Sequence, residues 1–357
     1  MLVDDESRIT SSPKIVDYMK HFYITATKDH TIYKLNCSAN SKMRIFFVVG
    51  LLYLNTSKNK VLRYIHLANF FLRAKFVCIN IDICIGDSIN TIQKVKNMPL
   101  LLKDKVGVVT GSTRGIGFAI AKEFAENGGA TTIVCSRIRQ QAIKAAEQIK
   151  GKVFAAEIDV ADDFSVREFM QQILSKFERI DILVNNAGFP YDSNIWSKKF
   201  HEVTDEELHK ILAIDLEGSV RVSRAVISSM LRKNALKMSK DGGVIINISS
   251  TPALAGYTKG APYTIGKAAN IGLTKCIAME YGSENIRAYT LALGNIATLA
   301  TYGAMTEKER DKAAAEPPMK RWGKPEEVAK IAASIASDNF SFATGNTIVI
   351  DGGTVLW

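Results

Sequence analysis

From Val106 to Ile350 the chain alternates two kinds of segment. Short apolar runs rich in β-branched residues stand at 106–110, 131–135, 152–158, 181–185, 243–248, 286–292 and 346–350. Between them lie longer stretches whose apolar positions recur at helical spacing, among them 116–127, 138–149, 164–177, 205–232 and 264–281. Strands that are apolar along both faces and alternate with helices indicate a parallel sheet covered on both sides. The pattern therefore predicts an α/β fold over residues 98–357: a single domain with a doubly wound, parallel seven-stranded sheet and helices on both faces.

Residues 1–97 read differently. They are rich in Ile, Asn, Lys and aromatics, hold Gly50, Gly86 and Pro13 as their few turn formers, and show no sustained helical or strand period. The most apolar run, Ile45 to Leu54, is ten residues, short of the roughly 20 that a membrane-spanning helix needs. A second apolar region, 61–85, is interrupted by Arg63, His66, Arg73, Lys75 and Asp82. Met43-Arg44 before the first run resembles a signal peptide only if translation starts at Met43, and no small-residue cleavage pattern follows. No membrane partner is expected. The break in composition at Met98 suggests that residues 1–97 are an N-terminal extension, either poorly ordered or a non-native upstream translation. An intact mass near 39.3 kDa would end the idea of a start at Met98.

Charge and cysteines narrow the classes further. The net charge is +10, but residues 1–97 carry 14 Lys and Arg against 7 Asp and Glu, whereas residues 98–357 carry 32 against 29. The basicity belongs to the extension, so no nucleic-acid partner is expected for the α/β domain. Cys37, Cys78, Cys84, Cys135 and Cys276 form no CxxC pair. They read as reduced thiols of a cytoplasmic protein, not as disulfides or metal ligands.

The candidate chemistry lies in a few short stretches. Tyr263-Thr-Ile-Gly-Lys267 sets a tyrosine and a lysine four apart, on one face of a helix. A free phenol titrates near 10 and is a poor acid or base at neutrality, but a neighbouring ammonium favours the phenolate and brings it toward the working pH. The same spacing also occurs in ordinary surface pairs, so what lies upstream matters. Thr110-Gly111-Ser112-Thr113-Arg114-Gly115-Ile116-Gly117 follows the first strand directly and opens the helix 116–127. Glycines there allow a tight turn and let backbone N–H groups approach a pyrophosphate at a helix N-terminus. Gly111, Ser112, Thr113, Arg114, Ile116 and Gly117 are accordingly expected to bind a dinucleotide, which makes the fold Rossmann-type. The second strand ends Cys135-Ser136-Arg137, without the carboxylate that would accept from a ribose 2′-hydroxyl. Arg137 and Arg114 suit a 2′-phosphate instead, so NADP(H) is favoured over NAD(H). Asp159-Val160 is placed to hold the adenine amino group, although an Asp at a strand end is also an ordinary helix cap. Asn185-Asn186-Ala187-Gly188 closes the fourth strand with small residues that let a ligand lie near the backbone.

In their order and spacing these motifs, with Ser250 thirteen residues before Tyr263, Gly294-Asn-Ile296-Ala-Thr298 and the closing Thr344 to Gly353, resemble the short-chain dehydrogenase/reductase family. The resemblance covers residues 100–357, and residues 1–97 have no counterpart in it. It implies that Tyr263 is the general acid of carbonyl reduction, that Lys267 supports it and bonds the nicotinamide ribose, and that Ser250 holds the substrate oxygen. It further implies that Thr298 and the backbone of Ile296 bind the carboxamide, and that Asn186 and Ala187 line the cofactor. Asp215 stands where the family commonly has an asparagine; its charge is expected to bind Lys267 more strongly and to alter the pH optimum. Leu293-Gly294 replaces the family's Pro-Gly. Segments 189–203, 251–262 and 299–320 are expected to face the substrate, the last as a lid. The overall pattern is closest to 3-oxoacyl-acyl-carrier-protein reductases, with sugar or polyol dehydrogenases as the alternative. Two other classes compete: a non-catalytic dinucleotide-binding sensor or scaffold, and a nucleic-acid or membrane-surface protein that uses the basic extension. The resemblance also implies a homotetramer built on helices 205–232 and 264–281.

Overall fold

The computed structural model describes Leu2–Val3, Ile9–Thr10 and residues 100–235 and 242–356. The chain divides into two units, Met1–Ile85 and Gly86–Trp357. In the first, Leu2–Val3 and Ile9–Thr10 pair as an antiparallel ladder. The sequence expectations for the rest of residues 1–97, including the apolar runs and the boundary at 98, lie outside the described residues.

The second unit holds strands β1 (Val106–Val109), β2 (Thr131–Ser136), β3 (Val153–Glu157), β4 (Ile182–Asn185), β5 (Gly243–Ser250), β6 (Ile286–Leu293) and β7 (Asn346–Ile350). All are parallel, in the order β3-β2-β1-β4-β5-β6-β7. This is the doubly wound Rossmann sheet that the alternating pattern predicted. The helices are α1 (Gly115–Glu126), α2 (Arg139–Ala146), α3 (Asp163–Phe177), α4 (Asp205–Leu212), α5 (Ser219–Ala235), α6 (Ala261–Tyr281), α7 (Glu307–Ala315) and α8 (Pro325–Ala336).

Neighbouring strand residues send their side chains to opposite faces of the sheet. Val109, Ile246 and Leu291 join Phe124 and Ile120 of α1 and Val328 of α8 in one core layer. Val108, Ile245 and Leu183 join Phe169 of α3, Val222 of α5 and Ile277 of α6 in the other. Two buried faces are why the strands read as nearly continuous apolar runs. Strand order reverses between β1 and β4, and a crevice opens there at the carboxyl ends of the strands, the usual ligand position in such sheets.

The stretch predicted as helix over 205–232 is helical throughout, with a π-helical turn at Ala213–Gly218 between α4 and α5. Other elements pack on this turn: a Cβ at Gly218 would lie 2.7 Å from Val160 Cγ2, and the Asp215 carbonyl takes a side-chain hydrogen bond from Asn270 of α6 at 2.7 Å. Helix α6 begins at Ala261, three residues before the predicted start, with Pro262 in its first turn, where the missing N–H leaves no bond unmade. Among the described residues no helix is long and apolar enough to cross a membrane.

Candidate active site

The turn from β1 into α1 is locked against the end of β4. The Thr110 hydroxyl accepts from the backbone N–H groups of Asn186 and Ala187, each at 3.0 Å. The Asn186 side-chain amide donates back to the carbonyls of Thr110 and Gly111 at 2.9 and 3.0 Å. Gly111 has φ +61°, and a Cβ there would meet Ala187 Cα at 3.0 Å. At Gly117 a Cβ would lie 2.3 Å from Asn186 Nδ2 and 2.7 Å from the Gly111 carbonyl. Ser112 is fully buried; its hydroxyl donates to the Val109 carbonyl at 2.6 Å and accepts from Cys135 N–H at 2.9 Å, knitting β1 to β2 below the turn. Its side chain therefore does not face the cleft.

A cleft of about 710 Å³ runs along this turn. Gly111, Thr113, Arg114, Ile116 and Gly117 line it, together with Asp159, Val160, Asn186 and Ala187. Arg137 and Thr298 line it as well. Helix α1 opens without a side-chain cap or an acidic residue in its first turn. Its first N–H groups and positive dipole end are thus open to an anion, and they fit the pyrophosphate of a dinucleotide. Gln141 and Lys144 add to the wall beside Arg137; sequence reading passed over both, although Gln141, Lys144 and Gln148 recur at helical spacing on one face of the α2 segment. The Glu157 carboxylate accepts from Arg139 N–H at 3.2 Å and caps α2. Asp159 caps its own turn, accepting from Ala161 N–H at 2.9 Å. Ile296 is buried, and its carbonyl accepts from the Thr301 hydroxyl at 2.8 Å, while the Thr298 and Thr301 hydroxyls share a hydrogen bond at 3.0 Å.

Beyond the glycine turn the remaining candidate side chains come from four segments. Ser250 ends β5 and donates from Oγ to the Leu293 carbonyl at 3.2 Å. Tyr263 lies in the first turn of α6 with its ring stacked on Trp196, centroids 4.4 Å apart, and Trp196 in turn meets Tyr191 at 5.2 Å. Lys267, one turn on, is buried, with Nζ 2.6 Å from Asp215 Oδ1 and 5.7 Å from the Tyr263 ring centre. The other Asp215 oxygen accepts from Phe189 N–H at 3.0 Å. A Cβ at Gly188 would come within 2.9 Å of Asp215 Oδ1 and 3.4 Å of Lys267 Nζ, so the last glycine of the 185–188 motif makes room for the ion pair. Burial pulls the Lys267 ammonium toward deprotonation, but Asp215 and then Tyr263 more than offset this, and its pKa lies above the usual lysine value. The lysine is therefore a fixed positive charge across the ordinary pH range. Among the described residues no cluster of His, Cys, Asp or Glu could hold a metal ion.

The remaining segments flank this cluster. Lys198 and Glu207 pair at 2.6 Å and tie the 189–203 segment to α4. In the 299–320 segment Arg310 donates to the Tyr302 carbonyl at 2.8 Å, and Trp322 Nε1 donates to the Arg310 carbonyl at 3.0 Å.

The model of the protein family described as Enoyl-(Acyl carrier protein) reductase matches residues 110–355. The 3-oxoacyl-[acyl-carrier-protein] reductase FabG of Thermotoga maritima is 34% identical over 259 residues, 71% of this chain and 99% of that protein. The chain belongs to the short-chain dehydrogenase/reductase family. Other members are about as similar: the 3alpha-hydroxysteroid dehydrogenase of Mediterraneibacter gnavus is 35% identical over 71% of this chain and 98% of its own length. Glucose 1-dehydrogenase 2 of Bacillus subtilis is 31% identical over 72% and 96%. The crystal structure of gox2181 superposes with a TM-score of 0.66 at 31% identity, covering 72% of this chain and 98% of that one. As a member of the family the chain is an oxidoreductase that acts on CH–OH groups with a nicotinamide cofactor.

Proposed function

We propose that the chain reduces the ketone of a 3-oxoacyl thioester with NADPH, with Tyr263 as acid, Ser250 as the holder of the substrate oxygen, and Lys267 and Asp215 as their support. The observation that carries this reading is the buried Lys267 ammonium, fixed by Asp215 one helical turn from Tyr263. When bound, the reduced nicotinamide supplies the hydrogen and electron pair taken up by the carbonyl carbon. Tyr263 gives its phenolic proton to the carbonyl oxygen as that oxygen becomes a hydroxyl, and takes it back in the reverse direction. The Lys267 ammonium stabilises the negative charge left on the phenol oxygen. Ser250 turns its hydroxyl from the Leu293 carbonyl to the substrate oxygen, where negative charge develops.

The residues that would hold the cofactor follow from the cleft. Gly111, Thr113, Ile116 and Gly117 serve the pyrophosphate, Asp159 and Val160 the adenine, and Thr298 with the Ile296 backbone the carboxamide. Arg114, Arg137 and Lys144 supply positive charge at the ribose end, which supports NADP(H) over NAD(H). Reduction of a 3-oxoacyl group is favoured because relatives named for it, from Thermotoga maritima and Chlamydia trachomatis among others, match over nearly their whole length. The Bacillus subtilis relative supports the second reading, a sugar or polyol dehydrogenase. We also infer a cytoplasmic homotetramer; Met279, 86% exposed on α6, together with Ile265 and Val220, leaves an apolar surface there for another copy.

The test is a panel of 3-oxoacyl thioesters, ketones, sugars and polyols, followed at the nicotinamide absorbance band with NADPH and NADH in parallel. The reading expects 3-oxoacyl thioesters with NADPH to turn over fastest, and Tyr263→Phe to lower turnover by about 10²–10⁴. A preference for NADH would overturn the cofactor assignment, faster oxidation of a polyol would replace the substrate assignment, and activity undiminished by Tyr263→Phe would remove Tyr263 from the mechanism.

A further inference from the structure

Helix α6 carries two neighbouring stripes. One is Tyr263 and Lys267, the reacting pair. The other is Pro262, Gly266, Asn270 and Thr274, all buried and spaced four apart. The second stripe meets the π-helical turn of Ala213–Gly218. A Cβ at Gly266 would lie 3.1 Å from Asp215 Cβ, so the glycine permits the approach. Asn270, 1% exposed, donates from its amide to the Asp215 carbonyl at 2.7 Å and to the Gly266 carbonyl at 3.4 Å. Two carbonyl neighbours fix which end of the amide faces them. The Ser219 hydroxyl adds a bond to the same Asp215 carbonyl at 3.3 Å. A π-helical turn leaves carbonyls poorly matched to the helix ladder, and such turns recur at functional sites.

We propose that Asn270 is a positioning residue: by holding the Asp215 carbonyl it sets the register of the π-helical turn and so aims the Asp215 carboxylate at Lys267. It touches no reacting atom and acts only through Asp215. A plain helix over 205–232 would carry residue 215 around the axis and leave Lys267 buried without its partner. The inference rests on the active-site reading above. The ionisable groups at this point are Lys267 and Tyr263 from α6 and Asp215 from the turn. On the elements packed around it, Glu217 faces Arg221 at 3.7 Å, Lys210 pairs with Glu206 at 2.8 Å, and His209 is exposed.

The experiment uses the full chain, with NADPH and a 3-oxoacyl thioester. Asn270→Leu keeps the volume and removes the amide; Asn270→Ser is its smaller counterpart and gives the same reading should the first not fold. Turnover is expected to fall about tenfold or more, as it does when a catalytic group is displaced by a fraction of a bond length, with the Michaelis constant for NADPH within twofold and the alkaline limb of the rate profile shifted. In an Asp215→Asn background the same change should add less than twofold, because the two residues act as one unit. A readout without turnover is chemical denaturation against pH in the cofactor-free protein. Lys267 is held above its ordinary pKa by Asp215, so the wild type loses stability as pH rises past about 10.4; the Asn270 variants should lose less over that range. Unchanged rate and denaturation profiles, or fully additive losses in the double variant, would overturn the inference. Turnover undiminished in Tyr263→Phe would instead reject the active-site reading on which it rests.

Discussion

The two regions of the candidate site are built by different means. Around β1, β2 and β4 the proposed cofactor end is mostly backbone: a glycine turn, the open N-terminus of α1 and the carbonyls that Asn186 clamps. Around β5 and α6 the proposed catalytic end is side chains, two of them charged and buried 2.6 Å apart. A backbone cradle is specified by what must be absent, namely a Cβ at Gly111 or Gly117. A charged pair is specified by what must arrive together from distant segments. The first half should thus be most sensitive to added bulk and the second to removed charge or hydrogen-bonding capacity.

The largest effect is expected at the catalytic end. Tyr263→Phe should lower turnover by about 10²–10⁴, the usual range for a lost general acid, with NADPH affinity, read by nicotinamide fluorescence, within threefold. Loss of affinity on the same scale would show that the two halves are not separable. Next comes Asp215→Ala, which leaves the Lys267 ammonium buried and unpaired; the expected loss is about 3–5 kcal/mol near neutrality, read by urea denaturation. Because Lys267 is shifted up, the pair's contribution is fully present below the ordinary lysine value and fades as pH rises through the shifted one. Wild type and variant should therefore converge in stability at high pH.

On the cofactor side, Gly117→Ala should destabilise by about 1–3 kcal/mol through overpacking and weaken NADPH binding at least tenfold, since both the Asn186 amide and the Gly111 carbonyl must move. Calorimetric titration at unchanged affinity would contradict the cradle. Arg137→Ala should reduce the preference for NADPH over NADH by about tenfold, one charge-assisted contact, in parallel kinetics. The smallest effect lies away from both halves, where Arg321 and Glu327 pair at 2.7 Å at the start of α8. The Arg321 hydrogen bonds, followed by the Lys324 backbone N–H, lower the Glu327 carboxyl to about 2. Its stabilisation is present above the ordinary glutamate value and disappears as pH falls toward 2. Solvent screening limits it to less than about 1 kcal/mol, so Glu327→Gln should change the midpoint of an acid titration only slightly.

The cofactor half was easier to read from sequence for a physical reason. Residues 110–117 are contiguous, and their conformation follows from local steric rules acting on glycine after a strand. Even so, the Ser112 side chain, expected to face the cofactor, is buried as a strut, because which side of a turn a hydroxyl faces depends on the neighbouring strand whose N–H donates to it. In the other half Tyr263 and Lys267 were legible from helical spacing. The stack of Trp196 on Tyr263 was not, since it joins residues 67 positions apart. Nor was the π-helical turn within 205–232: the helical periodicity of that stretch is real, and the contacts that Asn270 and Val160 make with the turn come from other elements.

The sequence by itself determined the α/β class, the seven parallel strands and the glycine turn, and its motifs named Ser250, Tyr263 and Lys267 as the proposed reacting side chains. Each of these follows from composition and spacing within one segment, or from motifs in one order. Tertiary structure alone decided that the Asp215–Lys267 pair is buried with Gly188 making room for it, that Asn186 clamps the carbonyls of the glycine turn, and that Lys144 lines the cleft with Arg137. Those outcomes depend on which segments the sheet brings together, and no local period carries that information.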